Sequence, residues 1–193
     1  MLTILVATTN PGKTREIREL LAGPSFNPLT LADLAPIVPP EETGRTFAEN
    51  ARLKALYYAK ASGQLTVAED SGLEVDALGG RPGVESARFG GDDARYPEKF
   101  AMLYAAGAAG STARFVCALA LVRESEVIFE ARGTVEGVIA DRPSGSGGFG
   151  YDPIFYYPPF GCTLAAAGGR KSEVSHRAEA FRQLRTFLTG AEL

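Results

Sequence analysis

Two adjacent carboxylate pairs, Glu41-Glu42 and Glu69-Asp70, stand in a chain whose basic residues gather at helix starts. Neighbouring carboxylates repel each other and gain most from a shared divalent cation. The first pair reads as the polar lead-in to a helix and the second as the end of a strand. Their bland alternatives are a solvated loop and an Asx turn at Asp70-Ser71-Gly72. Strand ends are where sheet proteins keep their sites, which favours a functional reading of Asp70. Among the bases, Lys13 and Arg15 fall in the first turn of one helix, and His176 and Arg177 open another, with Lys171 just upstream. Basic groups oppose the macrodipole there at a cost of about a few tenths of a kcal/mol. The same placement becomes favourable when a phosphate docks at the helix end. His176 is the only histidine, and a lone histidine is more often structural than catalytic. A phosphate-bearing ligand with a divalent cation is the chemistry these residues share.

Two glycine motifs bear on that ligand. ILVATTNPGKTREI, residues 4–17, comes within one residue of the P-loop signature, with Ala7 where the first glycine belongs. Without it the wrapping loop loses its most flexible residue, which argues against a Walker loop. GSGGFG, residues 145–150, fits G-x-G-x-x-G letter for letter. A dinucleotide fingerprint must follow a strand and open a helix. Here Pro143-Ser144 precedes it and Tyr151-Asp152-Pro153 follows, which favours an extended exit. Either the loop lets a flat ligand approach its backbone near Phe149, or it is a long surface turn.

The elements that must hold these residues are partly readable. LTILVAT, Leu65–Asp70, Arg114–Val122 and Val127–Ile139 read as strands, the last two joined by RESE as a hairpin. PIFYY after Asp152 is a further short strand. Asn10 caps a helix beginning at Pro11, with Ile17, Leu20 and Leu21 on its apolar face and Gly23 as its stop. TFAE at Thr46–Glu49 is a capping box opening a helix that runs to about Ser62-Gly63. A third helix follows Ser175 with Phe181, Leu184 and Leu188 at helical spacing, and a fourth lies around Pro97–Ala106. Early alternation and a later hairpin predict an α/β protein with a mixed sheet.

At 193 residues, with 45% apolar and 22% charged content, the chain suits one globular domain. A net charge of −3 argues against a nucleic acid polymer as partner and leaves a small nucleotide. Cys117 and Cys162 give neither a disulfide framework nor zinc spacing, and Cys117 reads as a buried structural thiol. No signal peptide and no apolar run near the roughly 20 residues of a membrane span is present, so a reducing cytoplasm is the expected location.

ATTNPGK, EETGRTFAENARLKA, EDSGLEVDALGGRPGVESAR, SGSGGFGYDPIF and KSEVSHRAEA, in that order, resemble the inosine triphosphate pyrophosphatase family. The similarity covers nearly the whole chain and is weakest from Asp92 to Thr112. It implies a single domain over residues 1–193: a long curved mixed sheet flanked by helices, in two lobes with a cleft between them, usually as a homodimer. The implied reaction is magnesium-dependent hydrolysis of dITP, ITP, XTP or dXTP to the monophosphate and pyrophosphate. Carried over by residue, Thr8, Thr9, Asn10, Pro11, Gly12 and Lys13 wrap the triphosphate, a phosphate loop of a non-Walker kind. Asp70 becomes the catalytic carboxylate and a magnesium ligand, with Ser71 on the substrate. Glu41 is the second ligand, and Glu42 takes its place if the register slips by one residue. Glu69 stands where relatives often carry aspartate, which leaves its metal role open. Phe149 stacks on the base, Gly150, Tyr151 and Asp152 shape its pocket, and Lys171, His176 and Arg177 complete the site.

Selectivity follows from donors and acceptors. Inosine, xanthine and guanine carry a 6-keto acceptor where adenine carries an amino donor, and Arg177 has only donors. An opposed pair of donors left buried is the kind of mismatch that gives about 10⁴-fold rejection. The alternatives are a catalytically silent nucleotide-binding regulator of the same fold, and an enzyme of this fold acting on pyrimidine or methylated nucleotides. The regulator predicts damaged acidic positions, yet all four carboxylates are present; SHR and FGYDP count against the other.

Overall fold

The computed structural model describes residues 1–190. Seven strands form one mixed sheet: β1 (Leu2–Val6), β2 (Phe26–Thr30), β3 (Thr66–Val75), β4 (Thr112–Arg123), β5 (Glu126–Ile139), β6 (Phe155–Tyr157) and β7 (Cys162–Thr163), in the order β2-β1-β3-β4-β5-β6-β7. β1 runs parallel to β2 and β3, whereas β5-β6 and β6-β7 are antiparallel. Helices α1 (Pro11–Leu20), α2 (Phe47–Ser62), α3 (Tyr96–Ala105), α4 (Lys171–Val174) and α5 (His176–Gly190) flank the strands. This is the expected α/β class with a mixed sheet. No helix among the described residues is long and apolar enough to cross a membrane.

The chain divides into two compact units. One comprises Met1–Asp70, Cys117–Gly133 and the residues from Arg177 onward; the other comprises Ser71–Val116 and Thr134–His176. In the first unit the strands bury both faces, and their period of two sorts side chains between two layers. Ile4, Val6, Val67, Cys117, Leu119 and Leu121 face α1 and α5, packing on Ile17, Leu21, Phe181, Leu184 and Leu188. Leu5, Ala7, Ala68, Ala120 and Val122 face α2, which answers with Ala51, Ala55, Tyr58 and Ala59. Each fully buried Leu, Ile or Phe contributes roughly 1.5–3 kcal/mol.

Local signals hold where they are strongest. Asn10 Oδ1 accepts from the Gly12 and Lys13 amides and so caps α1. Thr46 Oγ1 accepts from the Glu49 amide while Glu49 accepts from the Thr46 amide, and Gly63 closes α2 in the left-handed region. Two expectations change, and one strand carries no readable signal. β3 does not end at Asp70 but continues to Val75. Leu73 and Val75 enter the second unit's core, and Gly72 sits where a Cβ would come 2.3 Å from Ser86 Oγ. Gly72 therefore marks a close approach, not a turn. β2 is an edge strand that tolerates Pro28, a position that hides it from strand patterning. After GSGGFG the chain makes one 3₁₀ turn, Asp152–Ile154, before β6, so the exit is only partly extended.

The second unit packs Leu73, Val75, Phe100, Leu103, Phe115, Val135, Ile139, Tyr151, Ile154 and Phe155 into its own core. The region between Asp92 and Thr112 supplies α3, whose Phe100 and Leu103 point into that core.

Candidate active site

In the first unit the chemistry is arranged by the alternation of β3. Glu69 follows the parity of Val67 and points to the α1/α5 layer; Asp70 follows Ala68 and points to α2. The pair is therefore split across the sheet and does not present two carboxylates to one cation, a correction that the extended course of β3 imposes.

On the α1/α5 face Glu69 is 2% exposed. Its Oε1 takes Lys13 Nζ at 3.0 Å and Arg177 Nη2 at 3.3 Å, and its Oε2 accepts from Cys117 Sγ at 3.5 Å. Arg177, 1% exposed, also donates through Nη1 to Glu16 Oε2 at 2.6 Å. Burial pushes the Glu69 carboxyl up, but Lys13, Arg177 and Lys54 outweigh it and hold it well below the usual carboxylate range. Burial lowers Arg177, yet Glu69 above all raises it on balance. Burial beside Glu69 drives the Cys117 thiol well up, so it is an inert structural thiol.

On the α2 face both Asp70 oxygens are engaged. Oδ1 accepts from Lys54 Nζ at 3.1 Å and Oδ2 from Asn50 Nδ2 at 3.2 Å. Lys54 Nζ also reaches Glu42 Oε1 at 3.0 Å. Asn50 is fixed in turn, since its Oδ1 accepts from the Gly44 amide at 2.8 Å. A Cβ on Gly44 would stand 2.6 Å from that same oxygen. Burial raises the Asp70 carboxyl, Lys54 and Lys13 lower it, and Glu42 and Glu69 push it up again, leaving it above the ordinary aspartate value. Lys54 is raised on balance, because the pull of Asp70, Glu42 and Glu69 exceeds the cost of its burial. Glu41 is exposed and Glu42 half-buried; Glu42 is the one that shares a lysine with Asp70.

A divalent cation can be tested against this donor set. Among the described residues no three His, Cys, Asp or Glu side chains close on one point. Asp70 and Glu42 instead flank a single position held by Lys54. Magnesium is typically bound by one or two carboxylates plus substrate phosphates. The two hard oxygen ligands fit it, and the upward push on Asp70 is the burden a cation relieves.

Near the start of α1, Thr8 Oγ1 accepts from the Asn10 amide at 3.2 Å, and Thr9 and Pro11 are exposed. The first two helical donors go to Asn10, so Lys13 and the helix end are what an anion meets there.

In the second unit, Asp152 is 2% exposed and organises the glycine loop. Its Oδ2 accepts from the Phe149 amide at 2.8 Å and from Lys171 Nζ at 2.6 Å. Lys171 Nζ also stands 4.9 Å from the Phe149 ring centroid. Gly148, at φ +69°, lies so close that a Cβ would meet Asp152 Oδ2 at 2.1 Å. Tyr151 is a core residue whose hydroxyl donates to the Ser86 carbonyl at 2.9 Å. His176 is buried and stacked on Phe115, with centroids 4.9 Å apart and planes at 16°. Ser71 continues β3, half-buried.

Sequence reading missed Lys54, Asn50 and Glu16. A signal for the first two was present: Asn50 and Lys54 are i, i+4 partners on the stripe that carries Phe47, Ala51, Ala55 and Tyr58. Polar residues on an apolar stripe are buried and need partners.

Comparison with known proteins places this geometry. The Ham1 family model matches residues 4–187. The chain belongs to the Ham1 family. It is 48% identical over 189 residues to the dITP/XTP pyrophosphatase of Listeria innocua, covering 95% of this chain and 93% of that one. With the dITP/XTP pyrophosphatase of Thermus thermophilus it shares 49% identity over 94% of this chain and 89% of the other. A HAM1 protein from Coxiella burnetii has a similar structure, with a TM-score of 0.88, 39% identity and coverage of 99% and 100%.

Proposed function

We propose that this Ham1 protein hydrolyses non-standard purine nucleoside triphosphates (dITP, ITP, XTP and dXTP) to the monophosphate and pyrophosphate. The observation that carries the reading is Asp70. It is buried, fixed through both oxygens by Lys54 and Asn50, and raised above its ordinary value, as a general base needs. Asp70 accepts a proton from the attacking water as the α–β phosphoanhydride bond breaks, and the monophosphate and pyrophosphate are the products. Lys13 and the α1 terminus, with Thr8 to Gly12, hold the triphosphate. Asp70 and Glu42, in preference to Glu41, would hold magnesium, which supplies charge neutralisation and an acidified water when bound. Lys54 keeps the two carboxylates together and orients Asp70.

Phe149 offers its face to the base, with its amide and the Lys171 ammonium both tied to Asp152. Ser71 contacts substrate, and Gly150, Tyr151 and His176 back the base pocket. Arg177, clamped by Glu16 and Glu69, is a donor-only group that suits a 6-keto purine and opposes adenine. A homodimer in the cytoplasm, where nucleotide pools are made, completes the reading.

The test is pyrophosphate release from dITP, XTP, dGTP and dATP, each with magnesium and with EDTA. Release from dITP and XTP, at least 100-fold above dATP and abolished by EDTA, is expected. Binding of dITP with no release from any of the four would move the chain to the silent regulator.

A further inference from the structure

The second unit buries a cation that the proposed chemistry leaves unused. Lys99, on α3, is 3% exposed, and among the described residues no carboxylate lies within ion-pair distance of it. Its Nζ donates to the Ala87 carbonyl and stands 5.0 Å from the centroid of the Tyr96 ring. Burial lowers its pKa, and Asp92 only partly restores it. A charged group kept out of water on one carbonyl and one ring is costly, so its position has to be explained by what it fixes.

What it fixes is traceable. The adjacent carbonyl, Ser86, accepts from the Tyr151 hydroxyl at 2.9 Å. Ser86 is itself locked: its Oγ donates to the Gly83 carbonyl at 2.6 Å and accepts from the Leu73 amide at 2.9 Å. Two neighbouring carbonyls therefore hold two side chains, Lys99 from α3 and Tyr151 from the glycine loop. Tyr96 touches both. Its ring meets Tyr151 edge-on, with centroids 5.2 Å apart and planes at 90°, and lies beneath the Lys99 ammonium. Its hydroxyl lies against Gly150, where a Cβ would come within 3.5 Å of it, and Gly150 holds φ +68°. α3 thus presses on the backbone that carries Phe149.

We propose that Lys99 is a positioning residue: by clamping Tyr96 and the Ser86-Ala87 segment, it sets the backbone of Phe149-Gly150-Tyr151. The effect on substrate rests on the reading of Phe149 as the base platform; the effect on the loop does not. Aromatic contact loses value quickly when a ring is displaced, so the loss falls on binding of the purine. The residues proposed for hydrolysis, Asp70 with Lys54 and Asn50, belong to the other unit, so the chemical step is spared.

The experiment is Lys99→Met in the full chain, which keeps stem length and removes the ammonium. KM for dITP rises fivefold or more with kcat within twofold of wild type. Amide exchange quickens over residues 148–151 and stays unchanged over 116–122 of β4. Lys99→Arg, which restores a cation over Tyr96, recovers most of both effects. Unchanged KM and unchanged exchange at 148–151 would overturn the proposal, as would exchange that quickens throughout the chain. Should Lys99→Met fail to fold, Tyr96→Leu removes the ring beneath the ammonium and is held to the same two readouts. If wild type releases no pyrophosphate from dITP, the functional reading falls, and exchange at 148–151 alone decides the role of Lys99.

Discussion

Glu69 and Asp70 share a peptide bond, but the two faces of β3 give them opposite electrostatics. Glu69 meets Lys13 and Arg177, with Glu16 balancing the arginine, and its carboxyl is held far below its ordinary range. Asp70 meets one lysine shared with Glu42 and an asparagine, and its carboxyl is raised. Charge on Glu69 therefore stabilises the fold, whereas charge on Asp70 is carried at a cost to it. A residue kept against its own electrostatic preference is a functional candidate, while a satisfied ion pair is an organiser of its neighbours. On the proposed function, the contrast gives the chemistry to one face and the alignment of two cations, Lys13 and Arg177, to the other.

The sharpest way to break that contrast is Asp70→Asn. If Asp70 is the base, pyrophosphate release from dITP falls about 10³-fold, within the range that general-base catalysis supplies. Stability changes by less than about 1 kcal/mol, because the lost charge was unfavourable where it stood while Lys54 keeps Glu42. Measured by turnover and urea unfolding, an active Asp70→Asn protein would remove the base from this face.

Glu69→Gln should do the reverse. Removing one partner from a buried pair costs about 3 kcal/mol, and here two cations lose it at once. Turnover falls less than for Asp70→Asn, and the rise in KM exceeds the fall in kcat, since Lys13 and Arg177 lose their common anchor. The pH dependence has a definite sign. An unfolded glutamate titrates near 4.5 and the folded one well below, so the unfolded chain binds more protons in that window. The stability from Glu69 is complete above about pH 4.5 and is lost as the pH falls through the window beneath it. Unfolding of wild type and Glu69→Gln followed from pH 7 down to pH 3 should show the gap narrowing with acid. A gap that stays constant would mean that the anchor acts through shape and not through charge.

How much of this was legible in the sequence depends on range. Signals confined to one turn were readable: the Asn10 cap, the Thr46-Glu49 box with Gly63, and the basic residues at the starts of α1 and α5. The mixed sheet followed from alternation and the hairpin. What failed was any reading that needed a distant neighbour. The turn that stands as the bland alternative at Asp70-Ser71-Gly72 falls away because Gly72 packs on Ser86, across a separate segment, and that packing leaves no local mark. With β3 cut short at Asp70, the carboxylate pair could be read as one site, and only the full strand shows its two directions. The Lys54 link to both Asp70 and Glu42 bridges three segments and is likewise invisible along the chain.

The finest test separates two residues that the sequence could not. Glu42 reaches Lys54 and lies half-buried beside Asp70, while its neighbour Glu41 points to solvent. If the α2 face holds the metal, Glu42→Gln should raise the magnesium concentration needed for half-maximal turnover at least about tenfold, since loss of a mere outer-shell partner of a ligand already costs that much. Glu41→Gln should leave it within twofold, and neither change should alter the acid unfolding profile that belongs to Glu69. Equal shifts for both variants would mean that the segment carrying them binds metal in a register other than the one that puts Glu42 on Lys54. A shift for Glu41 alone would return the second ligand to the residue first expected, because the magnesium dependence would then follow the exposed carboxylate and not the one that shares Lys54 with Asp70.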